Sequence, residues 1–304
     1  MRIQHTRASV RVPATSANLG PGFDTLGLAL DLCDDLSVEA TTGAIEITVQ
    51  GEGAESVPAG EDHLVVRALR RGLDHAGAPQ TGLRLQATNR IPHGRGLGSS
   101  AAATLAGLLL ARGMISDPEA LDDQAVLQLA TEFEGHPDNA APALFGGVVL
   151  SWMQGAEARA VPLRVADDVL HPVVLLPTTT LSTHQARGLL PEEVPYSDAV
   201  FNASRSALLV HALAGAPELL LEATGDRLHQ ERRAPGMPES VELMRVLRRE
   251  GHAAVVSGAG PSVLVMSGRR MELAPRVRQF VGDPTTWRIA EVALRTVPAA
   301  PVVG

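Results

Sequence analysis

Gly94, Gly96 and Gly98 alternate with other residues just ahead of Ser99 and Ser100, in the stretch IPHGRGLGSSAAATLAGLLL from Ile91 to Leu110. Glycine permits positive φ and close backbone approach, so successive N–H groups of such a loop can converge on phosphate oxygens. A helix starting near Ser99 would add the positive end of its dipole, roughly half an elementary charge. Either serine hydroxyl could ligate Mg²⁺, and Ala101–Ala103 let the helix start pack closely. A bare glycine turn before a buried helix would look similar, but two serines in the first helical turn favour phosphate. The lysine of G-x-x-x-x-G-K-[ST] is absent and the spacing of G-x-G-x-x-G is not met. The chemistry is therefore anion binding by backbone, dipole and metal rather than by a cationic side chain.

Three further clusters have residue types suited to chemistry. In PATSANLGPGFD (Pro13–Asp24), Gly/Pro turns bracket Asn18 and the segment ends on Asp24. Such composition usually makes a surface turn, yet Phe23, Leu26, Leu28 and Leu30 place this one against a core. In EFEGHPDN (Glu132–Asn139), Glu134, His136, Asp138 and Asn139 crowd a helix end. A carboxylate there could hold Mg²⁺, and the others could hydrogen-bond a polar substrate; a solvated helix C-terminus fits equally well. One histidine without cysteine is not a zinc pattern. In VVSGAGPSVLV (Val255–Val265), Gly258–Pro261 between two apolar runs reads as a tight turn.

The elements that must carry these clusters mix helices and strands. Ser9–Val12 reads as a strand, and SVEA-TTG-AIEITV as a hairpin of two β-branched runs around a glycine turn. Asp62–Asp74 has helical spacing, with Val65, Ala68, Leu69 and Leu73 on one face. Leu83, Leu85 and Ala87 alternate with polar residues in a strand leading into the glycine loop. A helix spans Pro118–Glu134, with proline at its start, and VVLSW after Gly146-Gly147 is a strand. Beyond a boundary near Gln154–Ala158, strands are expected at Val173–Leu176, Ala253–Val256 and Val263–Met266. Helices are expected near Ser197–Leu213, Glu239–Arg249 and Ala274–Phe280. Without strict βαβ alternation, the reading is an α+β protein of two domains, residues 1–155 and 156–304.

Composition bounds the partners. The 304 residues are 45% hydrophobic and 20% charged, ordinary for a globular protein. A formal net charge of -8, few aromatics and no basic block argue against nucleic acid and anionic membranes. Cys33 is the sole cysteine, which fits a reducing compartment. No signal-like or spanning apolar segment is present, so the expectation is a cytoplasmic protein.

PATSANLGPGFDTLGLAL, PHGRGLGSSAAA, EGHPDNAAPALFGG and SGAGPS, in that order, resemble the homoserine kinases of the GHMP kinase superfamily, from about Val10 to Ser262. The resemblance implies an N-terminal domain like ribosomal protein S5 domain 2 and a C-terminal ferredoxin-like α/β sandwich. It implies ATP, Mg²⁺ and L-homoserine as ligands, a homodimer, and a product that feeds threonine biosynthesis. Pro92, Gly94, Arg95, Gly96, Leu97, Gly98, Ser99 and Ser100 would wrap the ATP phosphates, with Ser100 and Glu134 on Mg²⁺. Asn18, Asp24, His136, Asp138 and Asn139 would form the homoserine pocket. Asp24 and His136 would face the amino group, and Asn18 and Asn139 the hydroxyl, which puts Asn18, Asp24 and Asn139 nearest the reaction. STHQAR matches T-x-x-A-R, so Arg187 would grip the carboxylate, and DRLHQERRAPGMPE makes Arg233 its partner. Glu231-Arg232 replace a usual Pro-Tyr, which leaves Arg232 as the alternative partner, and His63 stands where an asparagine commonly lies near adenine. Related kinases with a catalytic base carry aspartate at the place of Asn139. An amide takes no proton at neutral pH, so the resemblance implies in-line attack without a base, Asp24 being the alternative base. Another small-molecule kinase of the superfamily and a non-catalytic homologue are the competing readings.

Overall fold

The computed structural model describes residues 1–166, 170–267, 275, 278–281 and 285–304. The strands are β1 (Arg7–Ala17), β2 (Leu26–Thr41), β3 (Glu46–Gly51), β4 (Gly82–Asn89), β5 (Val148–Gln154), β6 (Glu157–Leu163), β7 (Val173–Pro177), β8 (Ala253–Val256), β9 (Val263–Met266), β10 (Trp287–Glu291) and β11 (Pro301–Val303). The helices are α1 (Leu64–His75), α2 (Ser99–Met114), α3 (Asp123–Glu134), α4 (Ala140–Phe145), α5 (Thr183–Gly188), α6 (Tyr196–Gly215), α7 (Leu220–Ala223) and α8 (Pro238–Arg249). The first sheet runs β11-β1-β2-β4-β3, with β5 on the start of β2 and β6 on β5; the second runs β10-β7-β9-β8.

The first sheet takes its inner face from alternation. Val10 and Val12 of β1, Val38 of β2 and Leu83, Leu85 and Ala87 of β4 are buried, while Arg11, Arg84 and Gln86 are not. Against this face lies α2, buried on every side from Thr104 to Ala111, as a helix apolar all round must be. The second sheet is covered on both faces. Val173, Leu175, Ala254 and Val256 pack with Val241, Met244 and Leu247 of α8. Val174, Leu176, Val255 and Leu264 instead join the main core with Leu209, Leu213 and Leu220.

Several expectations are revised. The hairpin expected from β2 and β3 does not form, because β4 lies between them: it pairs antiparallel with β2 and parallel with β3. Leu83, Leu85 and Ala87 make β4 the more apolar strand, so it takes the interior position, while the half-exposed β3 takes the edge. Parallel pairing needs a long crossover, and α1 supplies it. The first strand continues through Pro13 to Ala17, with a register shift at Pro13/Ala14; proline cannot donate to the ladder, and a bulge accommodates it. Only residues 18–25 remain as loop. The single helix expected over Pro118–Glu134 is a 3-10 turn at Pro118–Leu121 followed by α3, because the Asp122 carboxylate caps α3 by accepting from the Ala125 N–H at 2.7 Å. A boundary at 155/156 falls in the turn between β5 and β6, so the first sheet extends to Leu163 and recovers residues 301–303 from the chain end. Of the helix expected near Ala274–Phe280, residues 274, 276 and 277 lie outside the described residues.

α1 and α2 meet at Gly107, where a Cβ would run into the Val65 carbonyl and come within 2.7 Å of Ala68 Cβ. Helix propensity alone would make Gly107→Ala stabilising by about 1 kcal/mol. Overpacking against immobile backbone costs about 1–3 kcal/mol and should win. Urea unfolding is expected to show a lower midpoint for Gly107→Ala; a raised midpoint would mean that α1 can move away from α2.

Candidate active site

The glycine loop is held from both ends and from both halves of the molecule. Buried Asp34 accepts from the Arg90 and Ile91 N–H groups at 2.6 and 2.9 Å, fixing the exit from β4; burial pushes its carboxyl pKa upward. Gly94, Gly96 and Gly98 have φ of 64°, 69° and 66°, a region that favours glycine. The Gly94 carbonyl accepts from Leu181 N–H at 2.9 Å and the Leu97 carbonyl from Thr15 N–H at 3.0 Å. At Gly98 a Cβ would run into the Thr15 hydroxyl. No side chain caps α2, so its first-turn N–H groups stay available to a ligand. Arg95 turns away and donates to the Thr178 carbonyl at 3.2 Å.

These groups line one side of a cavity of about 340 Å³. Gly94 and Gly96–Ser100 face it, whereas Pro92 and Arg95 do not. Glu134, His136, Asp138 and Asn139 from the α3–α4 turn, Asn18 and Asp24 from the β1–β2 loop, and Arg187 and Arg233 from the second half also line it. A wider cleft of about 850 Å³ between Phe145–Val148 and Glu291–Leu294 is lined chiefly by apolar side chains. Donors and acceptors converge in the smaller cavity, and the chemistry belongs there. His63 is buried and does not line it.

Ser100 Oγ donates to Glu134 Oε1 at 2.6 Å. Burial, only partly offset by this bond and by His136, pushes the Glu134 pKa upward. Two hard oxygens side by side at the start of α2 are a donor set that Mg²⁺ accepts. Asp24, His136 and Asp138 also place ligand atoms within 4.8 Å of one another. Arg187 already binds both Asp24 oxygens there, at 2.6 and 3.2 Å, and that arrangement suits a charged organic group better than a second metal.

The other wall is a network of polar side chains. Asn18 and Asp24 both have positive φ, 71° and 56°, which Asn and Asp tolerate better than most residues. Asn18, expected toward a substrate hydroxyl, has both ends of its amide engaged: Oδ1 accepts from Asp24 N–H at 3.0 Å and Nδ2 donates to the Gly258 carbonyl at 2.8 Å. Asn139 Oδ1 accepts from the Thr15 hydroxyl at 2.8 Å, which turns its NH₂ toward Asp138 Oδ1 at 3.3 Å. His136 Nδ1 hydrogen-bonds Asp138. Burial lowers the His136 pKa, but the bond and charge of Asp138 outweigh it and the net shift is upward. Nδ1 faces a carboxylate oxygen and so carries the hydrogen of that bond, and Asp24 and Asp138 are the carboxylates that can accept from an ammonium.

The two neighbouring arginines separate. Arg232 is exposed and lies 3.7 Å from Asp198. Arg233 is 1% exposed and faces the cavity. Burial, then the charge of Arg187, pushes its pKa down to about 10, so it stays charged at neutral pH. Phe133, Leu181, Ser182, Thr183, Gly258 and Ala259 complete the lining. None of these had been assigned a role from sequence; the tight turn expected at Gly258–Pro261 was legible as a turn, but its packing against Asn18 was not.

Comparison with known proteins agrees with this geometry. The family model "GHMP kinases N terminal domain" matches residues 63–147, and "GHMP kinases C terminal" matches residues 204–281. A homoserine kinase of Streptomyces avermitilis is 54% identical over 275 residues, covering 90% of this chain and 89% of that protein. One from Clavibacter michiganensis subsp. michiganensis is 53% identical over 284 residues, covering 92% and 90%. The crystal structure of homoserine kinase from Cytophaga hutchinsonii superposes with a TM-score of 0.82 at 26% identity, covering 98% of each chain. Mevalonate diphosphate decarboxylase from Staphylococcus aureus, at 14% identity and a TM-score of 0.67 over 98% of each chain, shares the fold. The chain belongs to the homoserine kinase family of the GHMP kinases.

Proposed function

We propose that the protein transfers the γ-phosphoryl group of ATP to the side-chain hydroxyl of L-homoserine, forming O-phospho-L-homoserine for threonine biosynthesis. The observation that carries this reading is one cavity with an uncapped helix start on one wall and two arginines beside two carboxylates on the other. The first wall suits a polyphosphate and the second a zwitterionic amino acid. A single cysteine fits a cytoplasmic enzyme, and the family resemblance a homodimer.

In this reading the backbone N–H groups of Gly94–Ser100 hold the ATP phosphates. Ser100 and Glu134 would hold Mg²⁺, which when bound supplies charge neutralisation at those phosphates. Arg233 and Arg187 receive the substrate carboxylate, and Asp24 and Asp138 accept from the amino group. Asn139, held by Thr15, orients the hydroxyl. The hydroxyl oxygen bonds to the γ-phosphorus as the bond to the bridging β–γ oxygen breaks, and ADP leaves. The proton goes to a γ-phosphoryl oxygen or to solvent. Asn139 cannot accept it, and in this reading Asp24 is engaged by the substrate's ammonium rather than by its hydroxyl. A loose transition state needs alignment and charge stabilisation more than a base.

The purified chain is expected to release ADP and phosphorylate L-homoserine, with L-serine and L-threonine much poorer acceptors; binding without ADP release would point instead to a non-catalytic homologue. Arg187→Ala should raise the KM for homoserine about 10–100-fold, the worth of a hydrogen bond to a charged group, and leave the KM for ATP nearly unchanged. Unaltered homoserine KM would remove Arg187 from the substrate pocket. Asn139→Ala should lower kcat less than about tenfold if it only orients the hydroxyl. A loss of about 10²–10⁴-fold, typical of a proton-transfer group, would restore a base to the mechanism.

A further inference from the structure

Arg233 is a buried cation whose two observed acceptors are uncharged. Its Nη1 donates to the Gly258 carbonyl at 3.1 Å and to His229 Nδ1 at 3.2 Å. Its Nε is buried and has no partner among the described residues. Arg187 differs, because Asp24 binds it through both oxygens. Of the two cavity arginines, Arg233 is therefore the one that, among the described residues, pairs directly with no carboxylate.

His229 is built to be that acceptor. Arg233 N–H donates to the His229 carbonyl at 3.1 Å, so the two residues are one helical turn apart and their side chains meet. His229 Nε2 lies 2.8 Å from the Gly20 carbonyl. A carbonyl only accepts, so Nε2 carries the hydrogen and Nδ1 is left as a lone pair facing Arg233. The ring stacks on Phe23, with centroids 4.9 Å apart and planes at 23°. Phe23 in turn lies beneath both guanidinium groups, 5.6 Å from Arg187 and 5.5 Å from Arg233. The nearby carboxylate of Asp226 accepts from Asn202 at 2.9 Å and from the N–H groups of Leu228, His229 and Gln230 at 3.0, 3.1 and 2.8 Å, and its Oδ2 lies 3.8 Å from His229 Nε2, the nitrogen that carries the hydrogen.

We infer that His229 is a positioning residue for the reaction: anchored by Gly20 and Phe23, it presents Nδ1 to Arg233 and aims that guanidinium into the cavity without spending its charge. An aspartate or glutamate at this place would neutralise Arg233 and compete with an incoming carboxylate. An apolar residue would leave the guanidinium without this hydrogen bond. The inference rests on the proposal that Arg233 receives the substrate carboxylate. It also links the halves, since the ring ties the 3-10 turn at Glu231–Gly236 to the β1–β2 loop.

Two replacements divide the functions of the ring. His229→Asn places an acceptor where Nδ1 stands and loses the contact to Gly20; His229→Gln keeps a donor near Gly20 and loses the acceptor. With the whole chain, His229→Asn is expected to hold the homoserine KM within about threefold of wild type, while His229→Gln raises it about 10–100-fold, as loss of a hydrogen bond to a charged group should. The KM for ATP should be unchanged in both. The reverse order, or equal effects, would make the ring a structural brace and overturn the inference. Nitrogen-15 NMR of the wild-type protein at neutral pH gives a test that needs no variant to fold: Nε2 protonated and Nδ1 bare is expected, and a protonated Nδ1 overturns it. Arg233→Ala separates the two layers. If it leaves the homoserine KM unchanged, the carboxylate clamp fails and His229 loses its role, whatever tautomer the NMR shows.

Discussion

The hydroxyl of Ser257 lies 2.7 Å from the Gly96 carbonyl and 2.8 Å from the Ser16 hydroxyl, and the site depends on this meeting of three segments. Ser16 and Ser257 are wholly buried, and a buried hydroxyl left unpaired costs about 1–3 kcal/mol. The segment of Ser257 is thereby held to both of the others. The approach is close because Gly96 has no Cβ; one there would run into the Ser257 carbonyl. From this contact the glycine loop takes its shape, and the turn after β8 comes close enough to accept from Asn18 and Arg233 at Gly258. The two sheets are thus joined at the cavity as well as through their shared apolar core.

Charge is distributed around that joint unevenly. The glycine-loop side carries backbone dipoles and the oxygens of Ser100 and Glu134, while Arg95 turns away toward Thr178. The opposite side carries one arginine ion-paired with Asp24 and one whose direct hydrogen-bond acceptors are uncharged. A zwitterion entering there can exchange partners with Asp24–Arg187 and also meet Arg233, so ligand charges replace protein charges in nearly equal number. The Asp24–Arg187 pair is about one-third exposed on each partner and adds little to fold stability. It can therefore be given up to a ligand at small cost.

Much of the site was legible from local pattern. Alternating glycines before two serines mark a left-handed loop running into a helix start, and Gly94–Gly98 adopt that form. Glu134, His136, Asp138 and Asn139 lie within six residues, so one helix end had to bring them together. Arg187 and Arg233 were reached through the family resemblance rather than from their spacing. Thr15, Phe23 and His229 gave no signal, because a buried threonine, an aromatic among apolar neighbours and a lone histidine are ordinary core residues. Their roles come from partners more than 100 residues away, Asn139 for Thr15 and Gly20 for His229.

By itself the sequence determined most of the longer elements, though not β6, β10, β11, α4, α5 or α7, and the short motifs they present, since helix starts, caps and turns depend on neighbours a few residues apart. It also determined the family, through four motifs in a set order. Tertiary structure alone decided that β4 rather than β3 lies beside β2, that the first sheet recovers the chain end, and that Arg233 rather than Arg232 faces the cavity. Each of these outcomes depends on which apolar surface can be buried against which, and on where a charge finds partners. Both are properties of the assembled core, and no window of the chain contains them.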